Sequence, residues 1–150
     1  DAYRDYARDI HGSGQHLLNL INEILDLSRI EAGRYQLNEE PLVLVDVVDD
    51  CCHMLEIKAR KKDIRLIPQF EPSMPRLFAD ERAVRQVVLN LLSNAIEFTC
   101  TGGEIKVRAG WTRGGGQYVA IKDNGPGIAP EEISVVLSAF GQGSIAIKSA

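Results

Sequence analysis

The stretch Leu89-Asn90-Leu91-Leu92-Ser93-Asn94-Ala95-Ile96-Glu97-Phe98-Thr99 decides the fold of this chain. Its apolar residues recur at helical spacing, which predicts an amphipathic helix whose apolar stripe contains Val84, Val87, Val88, Leu91, Ala95 and Phe98. Asn90 and Asn94 share one face on the flank of that stripe, and Glu97 falls there too. Asparagine is a poor helix former, so the two amides are expected to have partners such as a metal, a ligand or other protein groups. The alternative is that they only face solvent.

A second stretch, Asp123-Asn124-Gly125-Pro126-Gly127-Ile128, follows an alternating apolar run and turns twice on glycine around a proline. Glycine adopts backbone conformations that other residues avoid and allows close approach to a neighbouring group. The pattern therefore predicts a turn at the end of a strand, with a carboxylate beside closely approaching backbone.

Composition narrows the class of function. The 150 residues are 45% apolar, which is enough for one globular core plus an extra element. The net charge of −4 gives no electrostatic support for nucleic-acid binding. No apolar run approaches the roughly 20 residues that cross a membrane, so we expect any membrane anchor to lie outside this chain. Cys51, Cys52 and Cys100 lack the spacing of a zinc site or a disulfide framework, and we expect reduced cytosolic thiols.

Residues 1–31 predict one long helix. A heptad seam runs through it, with the residues Tyr3, Ile10, Leu17 and Ile24 and the companion positions Tyr6, Ser13, Leu20 and Leu27. Leu18, Ile21 and Leu25 widen the stripe beyond a two-helix seam, which favours a helical bundle. The helix cannot bury this stripe alone, so its partner is expected outside this sequence.

The remaining pattern predicts an alternation of strands and helices. We expect a strand at 41–45, a helix from about Val47 to Lys61 capped by Asp46, and a strand at 64–70. Brief pairing is expected at 77–79, followed by Asp80 as the cap of the asparagine-bearing helix. Strands at 104–111 and 117–123, joined by a hairpin loop, and a short helix from Pro130 complete the prediction. A basic cluster of Lys58, Arg60, Lys61, Lys62 and Arg65 is read as a solvated face, with docking of an acidic partner as the alternative.

Taken together, the two opening stretches resemble the N box and the G1 box of a sensor histidine kinase's ATP-binding domain, which is of the GHKL (Bergerat) type. Residues 10–34 look like the second helix of that family's dimerisation and phosphotransfer domain. Residues 139–143, Ala-Phe-Gly-Gln-Gly, look like its F box. Residues 10–16 and 140–150 look most like kinases of the alphaproteobacterial PleC/DivJ group, which act in cell-cycle and polarity control.

This resemblance implies an α+β fold. A long N-terminal helix, half of a helical-hairpin dimerisation domain, would precede an α/β sandwich of the Bergerat type with a mixed or antiparallel sheet. The implied domains are residues 1–32 and residues 33–150, the second ending before the family's G2 box. The implied activity is ATP-dependent autophosphorylation of a histidine, followed by transfer to an aspartate of a response regulator's receiver domain. A homodimer joined through the N-terminal helix, in the cytoplasm, is expected.

The resemblance also assigns site residues, with ATP and Mg²⁺ as cofactors. Asp123 would accept the adenine amino group, which gives a purine selectivity that apolar contact cannot provide. Gly125 and Gly127 would let the backbone pass close to the base, and Asn94 would bind Mg²⁺, which takes most of its other ligands from water and phosphate. Asn90 would orient the phosphates or the waters of the metal. Apolar surface is expected from Ile96, Ile121, Ile128 and Phe140.

Two features depart from the family. Glu97 stands where the family commonly has a lysine that meets phosphate. The H box and the G2 box are not among these residues, and none of His11, His16 and His53 is assigned as the phosphoacceptor. We therefore expect that this piece does not autophosphorylate by itself.

Two alternatives stay open at this point. One is a degenerate module that dimerises and binds partners or nucleotide without catalysing transfer, which Glu97 favours. The other is a GHKL ATPase of the gyrase, MutL or chaperone type. The heptad helix argues against that reading, as does an asparagine at position 90, where those hydrolases place a glutamate base.

Overall fold

The computed structural model describes residues 1–138. Its contacts divide the chain into two compact units, one of residues 1–37 and one that begins at Asn38. The two units are described separately below.

The first unit is a single long helix, as predicted. Helix α1 spans Ala2–Glu31, and the carboxylate of Asp1 accepts a hydrogen bond from the backbone N–H of Tyr3. Gly33 adopts a positive φ of 66° just after the helix, a conformation that favours glycine and ends helices. Within the described residues, no side chain of α1 is buried. Most of its apolar stripe is exposed, from Tyr3 and Ile10 through Leu17, Leu18, Ile21, Ile24 and Leu25 to Ile30, while Leu27 is partly buried.

The second unit combines three longer strands, two short strands and two main helices. In chain order its elements are β1 (Glu40–Leu42), α2 (Leu44–Lys61), β2 (Arg65–Phe70), β3 (Leu77–Ala79), α3 (Glu81–Phe98), β4 (Glu104–Trp111), β5 (Gln117–Asp123), a 3-10 turn (Pro130–Glu132) and α4 (Ile133–Val136). The bounds predicted for β4 and β5 are confirmed, and those predicted for β2 differ by one residue. None of the helices within residues 1–138 has the length and apolar character needed to cross a membrane.

The sheet is mixed. Strand β4 lies in the middle, with β2 parallel to it on one side and β5 antiparallel on the other. Ile105 pairs with Asp123, so the end of β5 lies beside the start of β4. Strands β1 and β3 form a separate antiparallel pair. The predicted α+β class with a mixed sheet is confirmed.

Helices α2 and α3 pack against each other and against this sheet. The apolar core between them contains Val48, Cys51, Val88, Leu92, Ile96, Ile105 and Val107, all nearly inaccessible to solvent. Removing such side chains from water is the main favourable term in folding. The core therefore fixes which face of α3 points inward.

The predicted start of α2 was wrong. The strand is confined to Glu40–Leu42, and the helix begins at Leu44, with Val43 at its N-cap and no side-chain cap. Leu44, Val47 and Val48 are all buried, at the spacing of one helix face. The free energy gained by burying this face outweighs the low helix propensity of the β-branched valines and the lack of a capping side chain. Asp46 lies instead in the first turn of the helix, where its negative charge interacts favourably with the helix dipole.

Candidate nucleotide-binding site

Asp80 fixes the start of α3. One carboxylate oxygen accepts a hydrogen bond from the backbone N–H of Ala83 at 3.0 Å, which is the predicted N-cap. The other oxygen accepts from the backbone N–H of Asn38 at 2.9 Å. These hydrogen bonds, the one from Asn38 first, hold the pKa of Asp80 below its usual value, because they favour the charged carboxylate. The first turn of α3 is thereby tied to the first residue of this unit.

The inward face of α3 differs from the predicted stripe. Val88, Leu92, Ala95 and Ile96 are buried, whereas the side chains of Val87 and Leu91 are 58% and 51% exposed. Leu92 and Ile96 instead complete the core between α2 and the sheet. Ile96 is 1% exposed, so it does not provide the ligand-facing apolar surface expected from the sequence.

The outward face of α3 carries the two asparagines. Asn90, Asn94 and Glu97 are all exposed and, with Val87, fall within about 80° of one another around the helix axis. We call these four residues the outward strip. Within residues 1–138, neither asparagine amide hydrogen-bonds to another residue. Of the partners expected from the sequence, other described protein groups are thus excluded, which leaves solvent, a metal or a ligand.

The turn after β5 is organised by its own side chains. Asp123 is exposed, and its Oδ1 accepts a hydrogen bond from the backbone N–H of Gly125 at 2.8 Å. Asn124 Oδ1 accepts from the backbone N–H of Glu104 at 3.1 Å and so ties the turn to the start of β4. One oxygen of the Asp123 carboxylate is held in place, while Oδ2 makes no hydrogen bond to any described residue.

Gly125 brings this turn against the end of α3. A Cβ atom at position 125 would lie 2.8 Å from Asp123 Oδ1 and 3.0 Å from the backbone carbonyl oxygen of Phe98, so any larger side chain would force the turn away. Gly127 has a φ of 75°, which a glycine adopts without strain. The two sequence stretches that predicted a site are therefore adjacent in space at the C-terminal end of α3.

Lys62, which follows the last residue of α2, caps the same C-terminal end of α3. Its Nζ donates to the backbone carbonyl of Ile96 at 2.9 Å and to that of Glu97. The last carbonyls of a helix have no partner within the helix, and a cation there also interacts favourably with the helix dipole. Sequence reasoning placed Lys62 on a solvated face, because no local spacing relates it to residues 34 and 35 positions away.

Two further predicted site residues are Ile128 and Phe140. Ile128 is exposed and follows the glycine turn. Phe140 and the rest of the predicted F box lie outside the described residues.

The oxygen atoms available at this site suit a hard cation whose other ligands are supplied by phosphates and water. Within residues 1–138, no group of three or more histidine, cysteine, aspartate or glutamate side chains is placed to hold a metal. The exposed amide oxygens of Asn90 and Asn94 are the kind of neutral oxygen ligand that Mg²⁺ accepts when phosphates and waters complete its shell. The residues present therefore fit Mg²⁺ carried by a nucleotide.

Residues 79–150 match the family described as "Histidine kinase-, DNA gyrase B-, and HSP90-like ATPase". The chain therefore contains an ATPase domain of the GHKL class. The similarity to known proteins extends through the N-terminal helix, and it is to the sensor histidine kinases, one branch of that class. The chain therefore belongs to the core of the sensor histidine kinases.

Three relatives illustrate this assignment. The "Non-motile and phage-resistance protein" of Caulobacter vibrioides is 46% identical over 143 residues, which cover 93% of this chain and 17% of that protein. The "Cell-division control histidine kinase PdhS" of Brucella suis is 37% identical over 142 residues, covering 95% of this chain and 14% of that protein. The crystal structure of full-length ShkA with AMPPNP has a TM-score of 0.83 at 30% identity, covering 93% of this chain and 30% of that one. This chain spans less than a fifth of the two curated relatives.

Proposed function

We propose that the protein containing this chain is a sensor histidine kinase that uses ATP to phosphorylate a histidine outside this chain. The phosphoryl group then passes to an aspartate in the receiver domain of a response regulator. The observation that carries this proposal is the contact of the Asp123 turn with the end of α3, because it brings an exposed carboxylate to the helix that carries the exposed amides.

We assign each site residue the role that the family resemblance implies. The free oxygen of Asp123 accepts the adenine amino group, and Gly125 and Gly127 keep side chains away from the base. Asn94 binds the metal through its amide oxygen, and Asn90 orients the phosphates. Ile128 and Phe140 cover the base with apolar surface. Mg²⁺, when bound, neutralises part of the charge on the phosphates, and transfer then depends on positioning.

The exposed stripe of α1 supports a homodimer. Nine large apolar residues of α1, each at least 45% exposed, follow a heptad-like pattern that a bundle would cover. The partner surface is a preceding helix of the same protein together with the same pair of helices from a second subunit. The complete protein would thus act as a dimer in the cytoplasm, with any membrane anchor contributed by other segments.

The names of the relatives support a narrower assignment. One relative is named for cell-division control, and the other for motility and phage resistance. We propose that this kinase belongs with the PleC/DivJ group and acts in cell-cycle and polarity control.

Autophosphorylation of the full-length protein tests the proposal. Incubation with ATP labelled at the γ-phosphate should give an acid-labile phosphoprotein, and Asn94→Ala should abolish the label. The matched control is Asn38→Ala, because Asn38 is an exposed asparagine of the same unit whose hydrogen bond to Asp80 is donated by its backbone N–H. Absence of label in the full-length wild-type protein would contradict the kinase.

A catalytically degenerate scaffold is the second candidate, and Glu97 is the feature that favours it. A carboxylate near polyphosphate is repulsive unless a cation or solvent lies between them. The scaffold would bind nucleotide or partners and give no label in the same experiment.

A further inference from the structure

The outward strip of α3 ends in a carboxylate at its C-terminal end. Glu97 lies one helical turn beyond Asn94 on the same face, and it is exposed. Within residues 1–138, the Glu97 side chain forms no ion pair. Its charge is therefore carried on the same helix face as the asparagine amides and close to whatever they bind.

This carboxylate is not there for the stability of the helix. The C-terminal end of a helix carries a partial negative charge, so an acidic side chain there is unfavourable and a basic one is favoured. The last turn of α3 contains no basic residue. The nearby cation, Lys62, contacts the backbone carbonyls of Ile96 and Glu97 rather than the carboxylate of Glu97.

The charge also lies at the end of the helix where the two halves of the site meet. Gly125 packs against the Phe98 carbonyl, one residue beyond Glu97, and Asp123 precedes Gly125 in the same turn. A nucleotide held between Asp123 and the asparagines would thus have its phosphates close to this negative charge.

We propose that Glu97 is a specificity-determining residue that makes the site select the divalent-cation complex of a nucleotide over the metal-free nucleotide. This inference depends on the nucleotide-binding function proposed above. Metal-free ADP carries two more negative charges than its magnesium complex, so Glu97 repels it more strongly. For two extra charges about 8 Å away in water, Coulomb's law gives an affinity difference of about threefold to tenfold.

Binding of ADP to the full-length protein tests this inference. Dissociation constants are measured by calorimetry with excess Mg²⁺ and with a chelator, and the ratio of the metal-free constant to the magnesium constant is compared between variants. Glu97→Gln removes the charge with little change in shape, and we expect the ratio to fall about threefold to tenfold. Glu97→Lys should lower it further, mainly by tightening the binding of metal-free ADP.

The matched control is Glu40→Gln, which makes the same charge change at the other end of α3. Glu40 is exposed and pairs with Ala79, just before the helix begins, so it lies roughly 25 Å from Glu97. Its ratio should equal that of the wild type. An unchanged ratio in both Glu97 variants, or an equal fall in Glu40→Gln, would overturn the inference while leaving nucleotide binding intact. Failure of the wild type to bind ADP even with Mg²⁺ would instead overturn the proposed function, and this inference with it.

Discussion

Helices α1 and α3 are both amphipathic, but the structure uses their apolar faces differently. In α3, four of 18 residues are buried, and they form part of the core with α2 and the sheet. In α1, none of 30 residues is buried within the described part of the chain. The apolar face of α3 is covered by other described residues of this chain, whereas that of α1 stays exposed, as the helical bundle proposed above requires.

The comparison also separates two kinds of information in an amphipathic helix. For α3, the informative face is the polar one, because its exposed amides have no described protein partner and point to a ligand. For α1, the informative face is the apolar one, because its exposure points to a protein partner. The following predictions test this division, from the largest expected effect to the smallest.

Truncation of the buried face of α3 should have the largest effect. The Leu92 side chain is fully buried, so Leu92→Ala should lower the free energy of unfolding of the second unit by about 2–5 kcal/mol, through lost burial and a residual cavity. The matched variant in α1 is Leu18→Ala, whose side chain is 50% exposed. It should leave this free energy almost unchanged and weaken self-association instead. Urea denaturation and light scattering measure the two effects, and equal loss of stability in both variants would contradict the comparison.

Removal of the Lys62 ammonium should have an intermediate effect. Lys62→Met keeps much of the aliphatic stem but leaves the carbonyls of Ile96 and Glu97 without this donor. We expect a loss of about 1–2 kcal/mol in the free energy of unfolding. Lys61→Met is the control, because Lys61 is an exposed neighbour in the last turn of α2. A cost for Lys61→Met as large as that for Lys62→Met would refute the capping role.

The cap at the other end of α3 should give a smaller, pH-dependent effect. The pKa of Asp80 is lower in the folded protein than in the unfolded chain, so its carboxylate stabilises the fold above the unfolded pKa of about 3.9. This stabilisation is lost as the pH falls through that value towards the folded pKa. Asp80→Asn keeps a capping oxygen but cannot titrate, so its Tm should lie slightly below that of the wild type at neutral pH. The gap should close in acid, and a gap that stays constant between pH 7 and pH 3 would exclude this contribution.

Local signals predicted much of this fold. The bounds of β4 and β5 follow from alternation broken by glycine, and the Asp80 cap follows from its place before an apolar helical pattern. The start of α2 was not predictable in this way, because burial of Leu44 and Val47 outweighed the strand-like valines. The same limit applies to α3, where the sheet and α2 selected Leu92 and Ile96 for the core rather than Val87 and Leu91.

The site was predictable only in part, because the same limit applies to contacts between distant segments. Asn90, Asn94 and Asp123 come from motifs within short segments, and the structure places the segments in contact through Gly125. Lys62 could not be predicted, because its contact with α3 exists only after α2 and α3 have packed. The roles of the individual residues stay predictions.

The most direct measurement is calorimetric titration of the full-length protein with a non-hydrolysable ATP analogue and Mg²⁺, for the wild type and Asp123→Asn. The matched control is Asp46→Asn, because Asp46 is an exposed aspartate in the first turn of α2. If Asp123 accepts the adenine amino group, Asp123→Asn should weaken binding at least about tenfold, since the amide presents a donor to a donor and leaves polar groups unpaired. Asp46→Asn should bind like the wild type. Equal affinity in all three proteins would contradict an adenine site at the end of β5.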